Sequence, residues 1–275
     1  LLTFDVYLEK PLFFLFAGTK NYLLTKIMPF LSQFTRRLNS LAHYIENPQL
    51  FVLRQRGGLP NTFLQLNQPW LHSLNINTVI DIGANSGQFA LTINTILPKA
   101  KIYSFEPLPE CFERLQACMS ACKHFTGFNV ALGDKPGALT FEKNTFTPSS
   151  SFLKMTDLHK TVYPHTKNTN NIQVKVDTLD NIIDSLEIND NILIKLDVQG
   201  YEDRVIRGAE NTIKRSQILI IETSFEALYE EQPLFGNLYN ELIKYGFIYA
   251  GAIEQNSHPK TGKILQSDSI FVRNQ

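Results

Sequence analysis

The sequence predicts an α/β fold, a mostly parallel sheet with helices on both faces, preceded by a helical N-terminal extension. Three observations predict it. From about residue 77, short apolar runs alternate with amphipathic stretches, the pattern of strand–helix crossovers. The strand-like runs are continuously apolar, as expected of strands buried on both faces. Each run then ends in glycine or polar residues, and open parallel sheets bind ligands beyond the carboxyl ends of their strands.

The elements follow in order. Residues 1–76 read as helical and irregular. "NYLLTKIMPFLSQFTRRL" (21–38) has apolar residues at helical spacing, interrupted at Pro29, and "RQRGGLP" (54–60) is a loop. "NTVIDIG" (77–83) is a buried strand, "GQFALTINTIL" (87–97) a helix closed by Pro98, and "KIYSFEP" (101–107) a second strand. "PECFERLQACMSAC" (109–122) is a helix with Cys111, Leu115, Cys118 and Cys122 on one stripe. "FTGFNVALGD" (125–134) is a third strand leading into a turn, and "GALTFEK" (137–143) an added strand or hairpin arm. "NILIKLDVQG" (191–200) and "QILIIETS" (217–224) are buried strands separated by a helix over 201–214. "NLYNELIKYGF" (237–247) is a helix and "SDSIFVRN" (267–274) a last strand. Two domains follow: a helical extension over 1–76 and an α/β domain over 77–275.

The 275 residues are 43% hydrophobic and carry no net formal charge, so nothing global points to nucleic acid. Residues 1–76 hold seven Lys/Arg against three Asp/Glu. Such a segment is either a solvated helix face or a contact with an acidic surface, such as the inner face of a membrane. Three cysteines without a C-x-x-C pair read as small core residues in a reducing, cytoplasmic compartment. The most apolar stretch, "PLFFLFAGT" (11–19), is far shorter than the ~20 residues of a membrane span. Asp5 and Glu9 precede it where a signal peptide carries positive charge. No clear extra acid cluster suggests a metal.

The polar residues after each strand are the ones to examine: Asp81 to Gly87, Glu106, Gly133 and Asp134, Asp197 to Glu202, and Glu222. The turn Gly83-Ala84-Asn85-Ser86-Gly87 has Asn85 where a dinucleotide fingerprint has its middle glycine. No G-K-[ST] follows, so it is not a P-loop either. Asp81 would repel a phosphate and suits a cation or hydroxyl. Glu106, followed by Pro107, ends the second strand where an acid takes ribose hydroxyls. A ligand with a ribose, no phosphate and positive groups fits this set, and S-adenosylmethionine has those features.

Several ordered blocks then resemble the FkbM family of S-adenosylmethionine-dependent methyltransferases over roughly 78–250. They are "VIDIGANSGQFA", "SFEPLPECFERLQA", "NVALGDKPGALTF", "VDTLDNII" and "ILIKLDVQGYEDRVIRGAENTI". The resemblance implies a Rossmann-like class I methyltransferase fold with a seven-stranded sheet, and O-methylation of a hydroxyl on a sugar, glycan or natural product. By position it implies a cofactor turn at Asp81, Gly83, Asn85 and Gly87, and a ribose ligand at Glu106. Ala131, Gly133 and Asp134 would lie near the adenine. Lys195, Asp197, Gly200 and Glu202 would form the strand end facing the methyl group. Position 199 is Gln where the family usually has Glu, which removes one carboxylate from the site.

A sugar hydroxyl is a poor nucleophile, so a general base should help, and Asp197 or Glu202 is the candidate. Asp197 could instead bind the cofactor ammonium or cap the following helix. Lys195, in a buried strand, needs an acid partner, and Asp197 shares its face two residues on. The stretch 144–171 lacks clear periodicity and reads as a lid or binding loop. Its His159 is a candidate base or an ordinary surface histidine. Its serines, Ser149 to Ser151, resemble a family motif near the substrate and are candidates, with Gln199, for binding acceptor hydroxyls. The competing reading is a non-catalytic module that keeps the fold. Gln199 favours it, and the intact Asp81, Gly83, Glu106 and Asp134 oppose it.

Overall fold

The structure is a computed structural model that describes residues 45–144, 150–166, 169–186, 188 and 190–274. Val52–Gln275 forms one compact unit. The amphipathic stretch 21–38, Ser149 and most of the basic N-terminal segment lie outside the described residues. No helix among the described residues is long and apolar enough to cross a membrane.

Among the described residues, the short helices α1 (Gln49–Gln55), α2 (Pro60–Leu66) and α3 (Pro69–Ser73) precede the sheet. Proline opens α2 and α3, where its missing N–H leaves no hydrogen bond unmade. Leu59 N–H donates to Thr92 Oγ1 at 2.8 Å and Thr62 Oγ1 to Glu254 at 3.1 Å, so α2 is tied to the domain it precedes.

The main sheet has seven strands in the order β3-β2-β1-β7-β8-β10-β9. They are β1 (Thr78–Ile82), β2 (Lys101–Phe105), β3 (Phe125–Phe128), β7 (Ile192–Leu196), β8 (Ser216–Ser224), β9 (Phe247–Ser257) and β10 (Ile264–Arg273). All pairings are parallel except those of β10, which runs antiparallel to β8 and β9. The order reverses direction between β1 and β7, which places a crevice at their carboxyl ends. Every residue of β1 and of β7 is buried, so both faces of the sheet are covered. On one face Ile80, Ile82, Ile194 and Leu196 pack with α8 (Glu202–Arg207), α9 (Glu210–Arg215) and α10 (Phe235–Leu242). α4 (Gln88–Ile96) follows the glycine turn, and α5 (Pro109–Met119) follows β2.

A second, three-stranded sheet runs β4-β6-β5, from β4 (Ala131–Leu132), β5 (Gly137–Asn144) and β6 (Thr169–Asp177). Short helices α6 (Asp157–Val162) and α7 (Leu179–Ile183) flank β6. The expected strand over 125–134 is therefore two strands in two sheets. Asn129 makes the break, its Nδ2 donating to the carbonyls of Glu106 and Pro107 at 2.9 and 3.1 Å. The expected helix over 201–214 is likewise two helices. At Gly208 an added Cβ would lie 1.9 Å from the Gly133 carbonyl oxygen, and Asp180 caps the second helix by accepting from Asn211 and Thr212 N–H at 2.9 Å. Cys122 lies past the end of α5, its Sγ donating to Asn94 Oδ1 at 3.1 Å. All three cysteines are free.

Candidate active site

The carboxyl ends of β1, β2, β7 and β8 open on a cleft enclosing roughly 850 Å³, part of it open to solvent. Its β2 end is an apolar slot of Phe105, Leu108, Val130, Ala131 and Leu132, with Phe141 reaching in from β5. Phe128 backs the slot, stacked on Phe105 at 4.9 Å between centroids. Glu106 and Pro107 line the same end. Glu106 Oε2 accepts from Asn85 N–H at 2.8 Å and Oε1 from Leu108 N–H at 2.9 Å. The acid thus locks the glycine turn onto the end of β2. Burial raises its carboxyl to about 7, against the pull of those two amides.

The turn has Gly83, Asn85 and Gly87 in the left-handed region, at φ of 81°, 47° and 88°. At Gly83 a Cβ would lie 1.9 Å from the Asp197 carbonyl oxygen. This glycine lets the ends of β1 and β7 touch, whatever else approaches it. Asn85 lines the cleft, and Gly87 opens α4 against Leu115 of α5.

Strand alternation sends Asp81 to the other face of the sheet, beside its register partner Lys195. Asp81, Ala84 and Lys195 line a second chamber with Thr62, Gln88 and Asp268, and it meets the cleft at Gly83, Asn85 and Asp197. Burial lifts the Asp81 carboxyl to about 7, opposed by the Lys195 ammonium. Lys195 Nζ is 3.1 Å from Asp197 Oδ2 and 3.4 Å from Asp268 Oδ1. Its own burial works against its charge, but Asp197, Asp268 and Glu222 outweigh that and hold it protonated.

At the β7–β8 end the cleft wall is Asp197, Val198, Gln199 and Glu222, with Ser150 and Phe152 across from the 150s segment. Gln199 Nε2 donates to Asp197 Oδ1 at 2.8 Å and to Glu222 Oε2 at 2.7 Å, while its Oε1 accepts the Tyr229 hydroxyl at 2.8 Å. Ser150 Oγ accepts from Asn144 N–H at 2.9 Å, and Ser151 Oγ donates to the Gln199 carbonyl at 2.6 Å. Ser151 therefore braces the site from behind and Ser150 lines it.

Other candidates sit elsewhere. Glu202 is 1% exposed, and its Oε1 accepts from the Val198 and Gly200 amides at 3.2 and 3.1 Å. It shapes the 197–200 turn from beneath and does not line the cleft. Its burial raises its carboxyl to about 7. His159 is not at the surface: it is 2% exposed between Tyr163 and Tyr229, at 5.2 and 4.9 Å between centroids. Burial pulls its pKa down to about 4, so it stays neutral. Ala131 lines the cleft, Gly133 packs against Gly208 and Val176, and Asp134 is exposed. Sequence reasoning missed the roles of Phe152, Tyr229 and Asp268. Glu222 was visible as a strand-end acid, but nothing in the sequence paired it with residue 199.

The profile of the Methyltransferase FkbM domain matches residues 81–249, from the end of β1 to the start of β9, and includes the residues that line this cleft. The chain belongs to the FkbM methyltransferase family. Among relatives of this FkbM chain, 2-O-methyltransferase NoeI of Sinorhizobium fredii is 28% identical over 160 residues, 56% of this chain and 66% of NoeI. Hexuronic acid methyltransferase AglP of Haloferax volcanii is 24% identical over 143 residues, 52% of this chain and 54% of AglP. The FkbM chain thus spans about half to two thirds of the length of these relatives. Among solved structures, fibrillarin of Aeropyrum pernix with bound S-adenosyl-L-methionine aligns at a TM-score of 0.37 and 9% identity, over 71% of this chain and 66% of that one.

Proposed function

We propose that the chain is an S-adenosylmethionine-dependent O-methyltransferase acting on a hydroxyl of a sugar, glycan or similar small molecule. One observation carries this: the make-up of the cleft wall. It combines an apolar slot, the carboxylates Glu106, Asp197 and Glu222, and no lysine or arginine among the described residues lining it. A dinucleotide brings two phosphates, which such a wall would repel. A purine, a ribose diol and positive groups suit it.

The slot of Phe105, Val130, Ala131 and Leu132 would take the adenine. Glu106 spends one lone pair of each oxygen on a backbone amide and keeps others for ribose hydroxyls. Asp197, which borders both the cleft and the second chamber, would lie between the positive groups and the acceptor. The cofactor, when bound, supplies a methyl group on a positively charged sulfur. The protein's share is to place an acceptor oxygen in line with that methyl group, which can account for about 7–11 kcal/mol of barrier, and to take its proton. Both named relatives are methyltransferases, and the hexuronic acid of AglP is a sugar acid, which supports a sugar-type acceptor.

Thermal unfolding with S-adenosylhomocysteine, S-adenosylmethionine or NAD tests the reading. A ligand at 100 times its Kd adds ~2.7 kcal/mol, a rise in Tm of roughly 5–10 °C for a domain of this size. We expect that rise with the methionine-derived ligands and its loss in Glu106→Ala. A rise with NAD alone, or with none of the three, refutes the assignment.

A further inference from the structure

The β7–β8 end of the cleft offers hydrogen-bond acceptors and very few donors. Asp197 and Glu222 present carboxylates, and both are tied to one atom, Gln199 Nε2. The amide cannot turn over. Its Oε1 already takes the Tyr229 hydroxyl, and the reversed group would set oxygen against two carboxylates. Ser151 pins the Gln199 backbone as well. The Lys195 ammonium, which acts on Glu222, is engaged by Asp197 and Asp268 towards the second chamber. A molecule seated here must therefore bring donors and no negative charge of its own. Two carboxylates bonded to one nitrogen also lie close together, within reach of neighbouring hydroxyls on a ring.

Resting on the methyltransferase reading above, we propose that this end takes a neutral polyol with two adjacent hydroxyls, that Glu222 accepts the proton of the one to be methylated, and that Gln199 and Tyr229 are positioning residues. Asp197 accepts the second hydroxyl. In the step, the acceptor O–H bond breaks and its proton goes to Glu222. The oxygen's electron pair forms the new bond to the methyl carbon as the methyl–sulfur bond breaks, its pair staying on sulfur. The proton then leaves Glu222 for water. A hexuronate would add a third negative charge beside the pair, so this FkbM chain would reject the kind of acceptor named for AglP.

The surroundings of Glu222 suit this role. Burial, Asp197, Asp268 and Glu202 hold its carboxyl well above the usual range, and Lys195 opposes them. The Tyr163 and Tyr229 hydroxyls also feel its charge. A carboxylate whose proton is held more tightly than usual is the stronger base when ionised.

The test uses the full chain and three methyl glycosides as probes: a neutral hexoside, its monodeoxy series, and the hexuronoside. Calorimetric titration with S-adenosylhomocysteine comes first, on wild type, Glu222→Gln and Gln199→Glu. Failure of wild type to bind refutes the methyltransferase reading itself. Binding by all three within about threefold, with matching unfolding curves, isolates the acceptor end. We then expect methylation of the hexoside, with kcat/KM at least about tenfold lower for the hexuronoside and for the two deoxy sugars that lack one hydroxyl of the adjacent pair, in line with a buried polar group left unpaired, and little changed for the other deoxy sugars. Glu222→Gln should lower kcat on the order of 10²–10⁴-fold. Should that variant unfold, Glu222→Asp carries the test, losing kcat but keeping the pH limb. Gln199→Glu should move the rising limb of kcat/KM upward by about one pH unit, because a third carboxylate raises the pKa of the second. The same upward move should appear without turnover, in a carbon-13 NMR titration of the Glu222 carboxyl. Equal use of hexuronoside and hexoside overturns the proposal. So does an unchanged kcat in Glu222→Gln, or no methylation of any probe by a protein that binds S-adenosylhomocysteine.

Discussion

The two ends of the cleft satisfy their carboxylates in different ways. At the β2 end, Glu106 is held by two backbone amides, those of Asn85 and Leu108. At the β7–β8 end, Asp197 and Glu222 are held by a side-chain amide, itself oriented by a tyrosine hydroxyl. Backbone donors come with the fold and cannot be exchanged one at a time. Side-chain donors can be replaced residue by residue. On the function proposed above, the first end would hold a constant ligand, and the second could be retuned without disturbing the sheet. That is the division expected where a shared cofactor meets a variable acceptor.

The largest test breaks the junction between the ends. Gly83→Ala would drive a Cβ to within 1.9 Å of the Asp197 carbonyl oxygen, at a φ of 81° that L-residues avoid. Strain and overpacking together should destabilise the fold by about 3–5 kcal/mol. Urea unfolding measures it, and a loss below about 1 kcal/mol would mean that the strand ends separate freely.

A middle-sized effect concerns the acid beneath the β7–β8 end. The folded Glu202 carboxyl titrates at about 7, above the 4.5 of a free glutamate, so the native state binds the proton more tightly. Its contribution is full below pH 4.5 and is lost as pH rises through about 7. Stability should therefore fall between pH 5 and pH 8, by up to ~3 kcal/mol from this residue. Glu202→Gln, neutral throughout, should flatten that part of the profile. Chemical denaturation at the two pH values checks it, and an unchanged slope in the variant removes Glu202 as the cause.

The smallest effect sharpens the comparison. Tyr229→Phe removes only the hydroxyl that orients Gln199. It should reduce stability by about 1 kcal/mol and leave the melting shift with S-adenosylhomocysteine intact. If that shift disappears, the two ends are coupled and the division between them is wrong.

Much of the frame was legible in the sequence because its signals are local. Continuous apolar runs over 78–82, 192–196 and 216–224 become buried strands, and the turn after Ile82 has the positive φ values its glycines suggest. β6 and β9 were not legible. β6 is half-buried in a small second sheet, with Val174 and Val176 buried beside exposed Gln173 and Lys175, and β9 is a sheet edge with Phe247 alone buried, so neither is the apolar run that marks the central strands. His159 was misjudged for a related reason. A histidine among polar residues reads as exposed, yet Tyr163 and Tyr229 enclose it, and Tyr229 comes from 70 positions further along the chain.

The sequence by itself determined the strand–helix alternation, the crevice at the strand ends, and the acids that could line it, because periodicity and turn chemistry act over a few residues. Only the tertiary structure decided which acids meet. It turned Asp81 to the far face with Lys195, sank Glu202 beneath the turn, and joined Asp197 to Glu222 through Gln199. The meeting of Asp81 with Lys195 depends on register between β1 and β7, and that of Gln199 with Glu222 on a contact 23 positions apart. Hydrogen bonds of that reach form only after the sheet has brought distant strand ends together, so no local pattern can encode them.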